Sequence, residues 1–260
     1  MRIKFIIFIL TSLCVFAAGH AAEIDSVTTR KVKLADSLSR INAIINERLQ
    51  EGVQQANKRA VYIDDDGEAF LDDSDAVKYC DEERLYSELR KAIYQSSTLS
   101  WGLKGYNLDL QFREMLRNRS YSLSLNDSIY RDIDYIEGFS LNLKELSDVV
   151  IVDSHLVGVE KLGHFFAEGW QYFEYTHFDG ESIYYAMDWG RQQEAGKFGY
   201  TTTGIFSFAD LVANFNGWRF WNRMLLKQDD PLKNWFANII DSPYVSCDIQ
   251  VVASIKSRKL

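Results

Sequence analysis

The amphipathic periodicity of this chain favours helices over strands along most of its length. In segment 34–58, apolar residues return every three or four positions and the positions between them are polar, which is typical of a helix that packs by one face. Segments 81–95, 158–175, 181–195 and 207–227 are also predicted to be helical. Only two prolines interrupt the 260 residues, and such scarcity of chain breakers favours one compact body. We therefore predict a mainly α, bundle-like single domain with short extended segments.

Three segments depart from this pattern. Residues 98–126 alternate in polarity, which predicts short strands or extended loops, and residues 244–255 are also predicted to be extended. The acidic segment 62–75 has the composition of a calcium loop, but counting back from Gly67 puts Tyr62 at the first ligand position. We therefore interpret 62–75 as an acidic surface loop.

The N-terminus is typical of a secretory signal. Two basic residues precede an apolar run over 5–18, and small residues follow it. We predict cleavage between Ala22 and Glu23, which makes residues 1–22 a signal peptide. The apolar run is shorter than the roughly 20 residues of a membrane span, and no later segment is long and apolar enough to serve as one. The predicted location is therefore periplasmic or secreted, without a transmembrane helix in the mature chain.

The predicted mature chain, 23–260, is strongly acidic. It carries 27 basic against 37 acidic residues, a net charge of −10. Such a balance argues against nucleic-acid binding, which depends on neutralising phosphates with Lys and Arg, and disfavours broad attachment to an anionic membrane. Cys80 and Cys247 could pair in an oxidising compartment or remain separate buried thiols, and both alternatives stay open.

The chemistry-bearing residues lie in part 146–260, whereas the role of part 23–145 cannot be read from the sequence. Glu160, His164 and Glu168 are four residues apart on a predicted helix, so they lie on one face. Imidazole and carboxylate can bind a metal, a carboxylate can prepare a histidine for general-base catalysis, and such neighbours also form ordinary hydrogen-bonded pairs. The catalytic candidates are His164, Glu160 and Glu168. The metal candidates are His155, His164, Glu160 and Glu168, and no cofactor can be assigned.

A second polar pattern accompanies the helix predicted over 207–227. Ser207 and Asp210 have the spacing of a capping box, which by itself explains Asp210. Asn214 lies one turn later among apolar residues, so we expect it to be buried and hydrogen-bonded. Gly217 would permit close approach of a neighbouring helix. Asp188 and Arg191, on the helix between the two patterns, are interpreted as a solvated face. The binding candidates are His155, Lys161, Glu194, Asp210 and Asn214.

The order Glu160-Lys161-x-x-His164-Phe165, then Ser207-x-x-Asp210-x-x-x-Asn214-x-x-Gly217, resembles that of VanZ-like proteins. Those proteins carry Asp-Lys-x-x-His-Phe and later Ser-x-x-Asp-x-x-x-Asn-x-x-Gly. The pattern is also similar to a group of secreted bacterial proteins of unknown function with Thr-Thr-Gly before the second motif. The resemblance covers about residues 155–221. Glu160 replaces the family's Asp, and VanZ-like proteins are membrane-embedded. The resemblance implies that the two motif helices face each other, and it implies no reaction.

Three functions remain open from the sequence. The first is an envelope protein that binds a lipid head group or a partner protein through a polar pocket around His164, without catalysis. The second is a periplasmic hydrolase, metal-dependent or using His164 as base, on a lipid, phosphoester or cell-wall substrate. The third is a polar network that only specifies helix packing. The first is our leading hypothesis, although no nucleophile elbow or zinc signature decides between them.

Overall fold

A computed structural model describes residues 23–57, 61–63, 69–71, 81–94, 108–134, 136, 146–196 and 199–225. Within them the protein is a mainly α, single-domain fold, as predicted. The helices are α1 (Leu38–Ala56), α2 (Glu82–Ile93), α3 (Leu108–Leu116), α4 (Glu160–Gly163), α5 (Gly169–His177), α6 (Ile183–Ala195), α7 (Tyr200–Thr203) and α8 (Phe208–Leu225). A π-helical segment, His164–Glu168, joins α4 to α5. Short 3₁₀ helices span Thr29–Lys31, Arg117–Arg119 and Leu125–Asp127.

Two antiparallel hairpins accompany the helices within the described ranges. Strands β1 (Val61–Ile63) and β2 (Ala69–Leu71) pair with each other, so part of the predicted acidic loop is a hairpin. Strands β3 (Val149–Val152) and β4 (His155–Gly158) form the second hairpin. Its turn residues Asp153 and Ser154 both have positive φ, a conformation that usually requires glycine or asparagine. The carboxylate of Asp36 accepts a hydrogen bond from the Ser154 N–H at 3.0 Å and so stabilises the turn.

The apolar faces of α1 and α2 form one half of the core. Isoleucines and leucines at helical spacing on α1 are buried against α2, whose Leu89 is fully buried. Gly52 of α1 lets the two helices touch, since a Cβ there would lie 2.9 Å from the Leu89 side chain. The N-terminus of α2 is capped by Asp81, whose carboxylate accepts the Arg84 N–H at 2.7 Å.

Aromatic residues of α5 and α8 form the other half of the same core. Trp170 packs edge-on against Trp221 at 4.6 Å between ring centroids. Tyr86 of α2 contacts Trp170 and Phe173, so the two halves share one buried cluster. An ion pair from Arg90 to Glu174 at 2.9 Å joins α2 to α5 near the surface.

The helices predicted from periodicity are confirmed with slightly different ends, and one prediction is wrong. Segment 108–116 is helical, although its alternating polarity indicated extended chain. Within 98–126, Tyr121 forms an isolated antiparallel β-bridge with Val149, so the backbone is extended at that residue. The predicted extended segment 244–255 and the possible Cys80–Cys247 bridge lie outside the described residues.

Candidate functional site

A buried ammonium group lies at the centre of the polar site. Lys161 of α4 is 7% exposed, and its Nζ donates to Glu23 Oε1 at 3.0 Å, to Ser207 Oγ at 3.1 Å and to Asp210 Oδ1. These contacts tie the N-terminal segment, α4 and the start of α8 together. Burial opposes the charged form of Lys161, but the neighbouring carboxylates outweigh burial and raise its pKa above the usual range.

Glu160 lies beside this ammonium group without sharing a hydrogen bond with it. Its Oε1 is 3.0 Å from Lys161 Nζ, yet neither carboxyl oxygen has a hydrogen-bond partner among the described residues. The three hydrogens of an ammonium group match the three acceptors Glu23, Ser207 and Asp210. Glu160 is 4% exposed, and burial raises its pKa to about 8 despite the attraction of Lys161.

Both ring nitrogens of His164 face oxygen atoms. Nδ1 is 3.2 Å from Asn214 Oδ1, and Nε2 is 3.3 Å from Asp210 Oδ2. Glu168 Oε2 lies 3.8 Å from Nδ1. Burial opposes the charged ring, but Asp210, Glu168 and Glu160 outweigh it and raise the pKa of His164 to about 9. Asn214 also forms a hydrogen bond with Tyr172. Burial raises the pKa of Tyr172 to about 12.

Glu194 takes the position that the sequence assigned to Asp210. Glu194 Oε1 accepts a hydrogen bond from the Ser207 N–H at 2.7 Å, the contact that Asp210 would make in a capping box. Asp210 instead directs its carboxylate to Lys161 and His164. The capping role predicted for Asp210 is therefore wrong, because a buried ammonium group binds its carboxylate more strongly than a backbone amide does. Burial raises the pKa of Glu194 to about 7.

Four glycines make room for this arrangement. A Cβ on Gly158 would lie 2.5 Å from Glu160 Oε1, and one on Gly199 would lie 2.4 Å from Glu194 Oε1. Gly169 of α5 and Gly217 of α8 face each other where the helices cross, and a Cβ on Gly217 would lie 1.8 Å from the carbonyl oxygen of Phe165. The close approach expected at Gly217 is thus observed, and it holds His164 against Asn214.

The π-helical segment begins at His164 itself. Such segments widen a helix by one residue in a turn and are frequent at functional sites. The carbonyl oxygen of Phe166, within the segment, accepts a hydrogen bond from Trp221 Nε1 at 3.1 Å. The distorted turn is therefore fixed against α8 by the aromatic core next to the polar site.

Seven of the residues singled out from the sequence lie together in the structure. With Glu23 they make up a group that we call the acid-rich cluster. Its members are Glu23, Glu160, Lys161, His164, Glu168, Glu194, Asp210 and Asn214.

His155, a metal and binding candidate, lies outside the cluster. It is exposed at the start of β4, and its Nδ1 is 2.7 Å from the carbonyl oxygen of Asp153. Asp188 and Arg191 are exposed and pair with each other, as predicted for a solvated face. His177 is half-buried and stacks on Phe173 in the aromatic core.

Sequence reasoning missed Glu23 as a member of the site. It is one acid among many in the chain, it is 138 positions from Lys161, and no spacing rule connects the two. Gly158 and Gly199 were a more accessible signal, since each lies within a few residues of an acid in the sequence and glycine can mark a place where another group approaches the backbone closely.

Three ligand atoms in the cluster are arranged so that a metal ion could bind them. One atom each from Glu160, His164 and Asp210 lie within 4.8 Å of one another. This set shares Glu160 and His164 with the predicted metal candidates, and Asp210 stands in place of His155 and Glu168.

Comparison with known proteins gave no relative. No protein-family model, curated protein or solved structure matches the chain. Among the described residues, none of the helices combines the length and the apolar character that crossing a bilayer requires.

Proposed function

We propose that this chain is an exported envelope protein that binds a lipid head group without catalysing a reaction. The binding position is the edge of the acid-rich cluster formed by His164 and Glu168. These side chains are 15% and 22% exposed, whereas those of Lys161 and Asp210 are 8% and 6% exposed. A ligand arriving from solvent therefore meets an imidazole and a carboxylate first.

The chemistry of this edge suits a zwitterionic head group. His164 faces an oxygen with each ring nitrogen, so hydrogens on both nitrogens give the best pairing and the ring is an imidazolium. An imidazolium beside a carboxylate matches the phosphate and the amine of a phosphoethanolamine group. The surrounding acids disfavour a purely anionic ligand.

The same contacts argue against catalysis by His164 as a general base. A general base must offer a lone pair to the proton that it removes. With Nδ1 directed at Asn214 and Nε2 directed at Asp210, neither nitrogen is available for a substrate proton. This engagement of both nitrogens is the observation that carries the proposal.

Export rests on the apolar run of residues 5–18 and the small residues after it. Glu23, the first residue after the proposed cleavage position, is 6% exposed and belongs to the acid-rich cluster. The mass of the mature protein from a periplasmic fraction tests this, and we expect it to begin at Glu23. A mass that includes residues 1–22 would contradict cleavage.

Vesicle flotation tests the lipid proposal. We expect binding to phosphatidylethanolamine vesicles and weaker binding to phosphatidylcholine, because a choline group has no N–H to donate to Glu168. Glu168→Gln should weaken binding about tenfold, equivalent to about 1.4 kcal/mol. The matched control is Asp188→Asn, because Asp188 is an exposed carboxylate on α6 that also forms an ion pair. Equal binding to both lipids, or unchanged binding by Glu168→Gln, contradicts the proposal.

A periplasmic hydrolase is the second candidate. The observation in its favour is the grouping of Glu160, His164 and Asp210 ligand atoms, which could hold a metal ion that activates water. Turnover of lipid, phosphoester or cell-wall substrates that disappears in Asp210→Asn would favour the hydrolase. Head-group binding without product release would favour the binding protein.

A further inference from the structure

We infer that Glu160, His164 and Asp210 bind one divalent transition-metal ion, with zinc the best match. One imidazole nitrogen and two carboxylate oxygens are ligands that zinc accepts at about 2.0–2.2 Å. Ligands at that distance from a tetrahedral ion are roughly 3.4 Å apart, and His164 Nε2 and Asp210 Oδ2 are 3.3 Å apart. All three ligand atoms lie within 4.8 Å of one another, so small side-chain movements complete the site.

The buried carboxylate of Glu160 is an independent reason to place a cation here. It is 4% exposed, and in the part of the chain that the structure describes both of its oxygens lack a hydrogen-bond partner. Burying a carboxyl group whose oxygens have no hydrogen-bond partner is costly, and the ion pair with Lys161 at 3.0 Å does not supply a hydrogen bond. A metal ion bound by Glu160, His164 and Asp210 would give this carboxyl group a partner.

Lys161 and the ion can occupy the cluster together. The ammonium group takes Oδ1 of Asp210 and lies beside Oε1 of Glu160, whereas Oδ2 of Asp210 faces His164. The cluster holds five carboxyl groups against one ammonium group and one imidazole. This excess of carboxyl groups over positive groups supplies oxygen ligands for a second cation.

His164 is already oriented as a metal-binding histidine would be. Histidine ligands commonly donate their second ring N–H to a carbonyl or carboxylate oxygen, which fixes the ring. Asn214 Oδ1 is the acceptor for Nδ1 at 3.2 Å, and Nε2 is directed towards Asp210, so an ion that binds here displaces the proton that Nε2 carries in the metal-free protein. Gly158 contributes by leaving the space that the Glu160 carboxylate occupies.

The metal site goes beyond head-group binding at His164 and Glu168, and either proposal can fail alone. The test uses the full mature chain, stripped with a chelator, dialysed against micromolar zinc and then against buffer. Metal content is measured by plasma mass spectrometry. We expect about one equivalent of zinc, together with a rise in melting temperature when zinc is added.

Matched variants locate the ion. Glu160→Gln keeps the shape of the side chain but removes the carboxylate that would bind the ion, so folding should persist while zinc is lost. His164→Gln should also lose zinc. His155→Ala, which removes an exposed imidazole outside the acid-rich cluster, should retain one equivalent.

Two results would overturn the site. One is that the wild-type chain retains no zinc and has the same melting temperature with and without added zinc. This result can be interpreted without any variant. The other is retention of zinc by folded Glu160→Gln combined with loss in His155→Ala, which would place the ion at the surface. Phosphatidylethanolamine binding is measured separately on the stripped protein, so the two proposals remain distinguishable.

Discussion

At the scale of single residues, the acid-rich cluster holds protons that an unfolded chain would release. Burial raises the pKa of Glu194 to about 7 and that of Glu160 to about 8. The carboxylates around His164 outweigh its burial and raise its pKa to about 9. In each case the folded state binds a proton more tightly than the unfolded state. Stability contributed by these groups is therefore present at low pH and is lost as pH rises through the folded pKa.

Glu194 offers a test of this direction of the dependence of stability on pH. Between its ordinary value of 4.5 and about 7, folding must retain a proton that the unfolded chain has lost, so stability falls as pH rises. Glu194→Gln removes that dependence. We expect the melting temperature of the variant, relative to chelator-treated wild type, to increase from pH 5 to about pH 7 and to level off above it.

Asp188→Asn is the control for this measurement, because Asp188 is exposed and its pKa is lowered by Arg191 and Gln192. Its difference from wild type should stay flat over the same range. A flat difference for Glu194→Gln as well would show that Glu194 is ionised throughout.

Lys161 supports the strongest prediction about a single side chain. Lys161→Met keeps the length of the side chain but leaves Glu23, Glu160 and Asp210 buried without their cation. Removing one partner of a buried ion pair costs about 3–5 kcal/mol. Urea denaturation should show a loss of that size.

Lys91→Met is the comparison, since Lys91 pairs with Glu88 on the surface with 47% of its side chain exposed. Exposed pairs contribute about 0–1 kcal/mol. Similar losses in the two variants would mean that the acid-rich cluster is accessible to water.

At the scale of elements, the crossing of α5 and α8 depends on two glycines. Gly217→Ala would place a methyl group 1.8 Å from the Phe165 carbonyl oxygen, so the helices must separate. Overpacking of this kind costs about 1–3 kcal/mol or more, and separation also lengthens the His164–Asn214 contact. We expect lower stability in urea denaturation, together with a changed NMR shift of the His164 ring.

Val212→Ala, at a 59% exposed position of the same helix, should change stability by less than about 0.5 kcal/mol. Full stability in Gly217→Ala would show that the crossing can open without cost.

The helices were predictable where one face is apolar, and this holds for α1, α2 and α8. Helix α3 was not, because polar and apolar residues alternate before and within it. The β3–β4 hairpin was missed since its turn, Asp153-Ser154, lacks the glycine that normally signals positive φ. Tertiary contacts decided both cases.

Much of the site could be predicted because its helical members recur every four residues. Glu160, His164 and Glu168 share a face by spacing alone. Asn214 was recognisable as a polar residue within an apolar stretch. The pairing of Asp210 with Lys161, and the arrival of Glu23, depend on how separate segments meet, which one sequence does not specify.

At the scale of the whole molecule, the parts 23–145 and 146–260 share a core. Tyr86 and Tyr94 of the first part contact Trp170 of the second, and Glu23 reaches Lys161. We expect residues 146–260 expressed alone to lack fixed tertiary structure, because the aromatic face of α5 would be open to water. Near-ultraviolet circular dichroism of that fragment is the measurement, and a native-like spectrum would contradict a shared core.

The π-helical segment sets the rotational position of α5 relative to α4 about the helix axis. In a regular α-helix each residue advances the side-chain direction by about 100°, and the wide turn at His164–Glu168 absorbs one residue more. Upstream of it Glu160 and Lys161 face the charged groups, and downstream Trp170 and Phe173 face the aromatic core. If the same residues formed a regular α-helix instead, α5 would be rotated by about 100° against α4. The chain could then keep its charged face or its aromatic face in register, but not both.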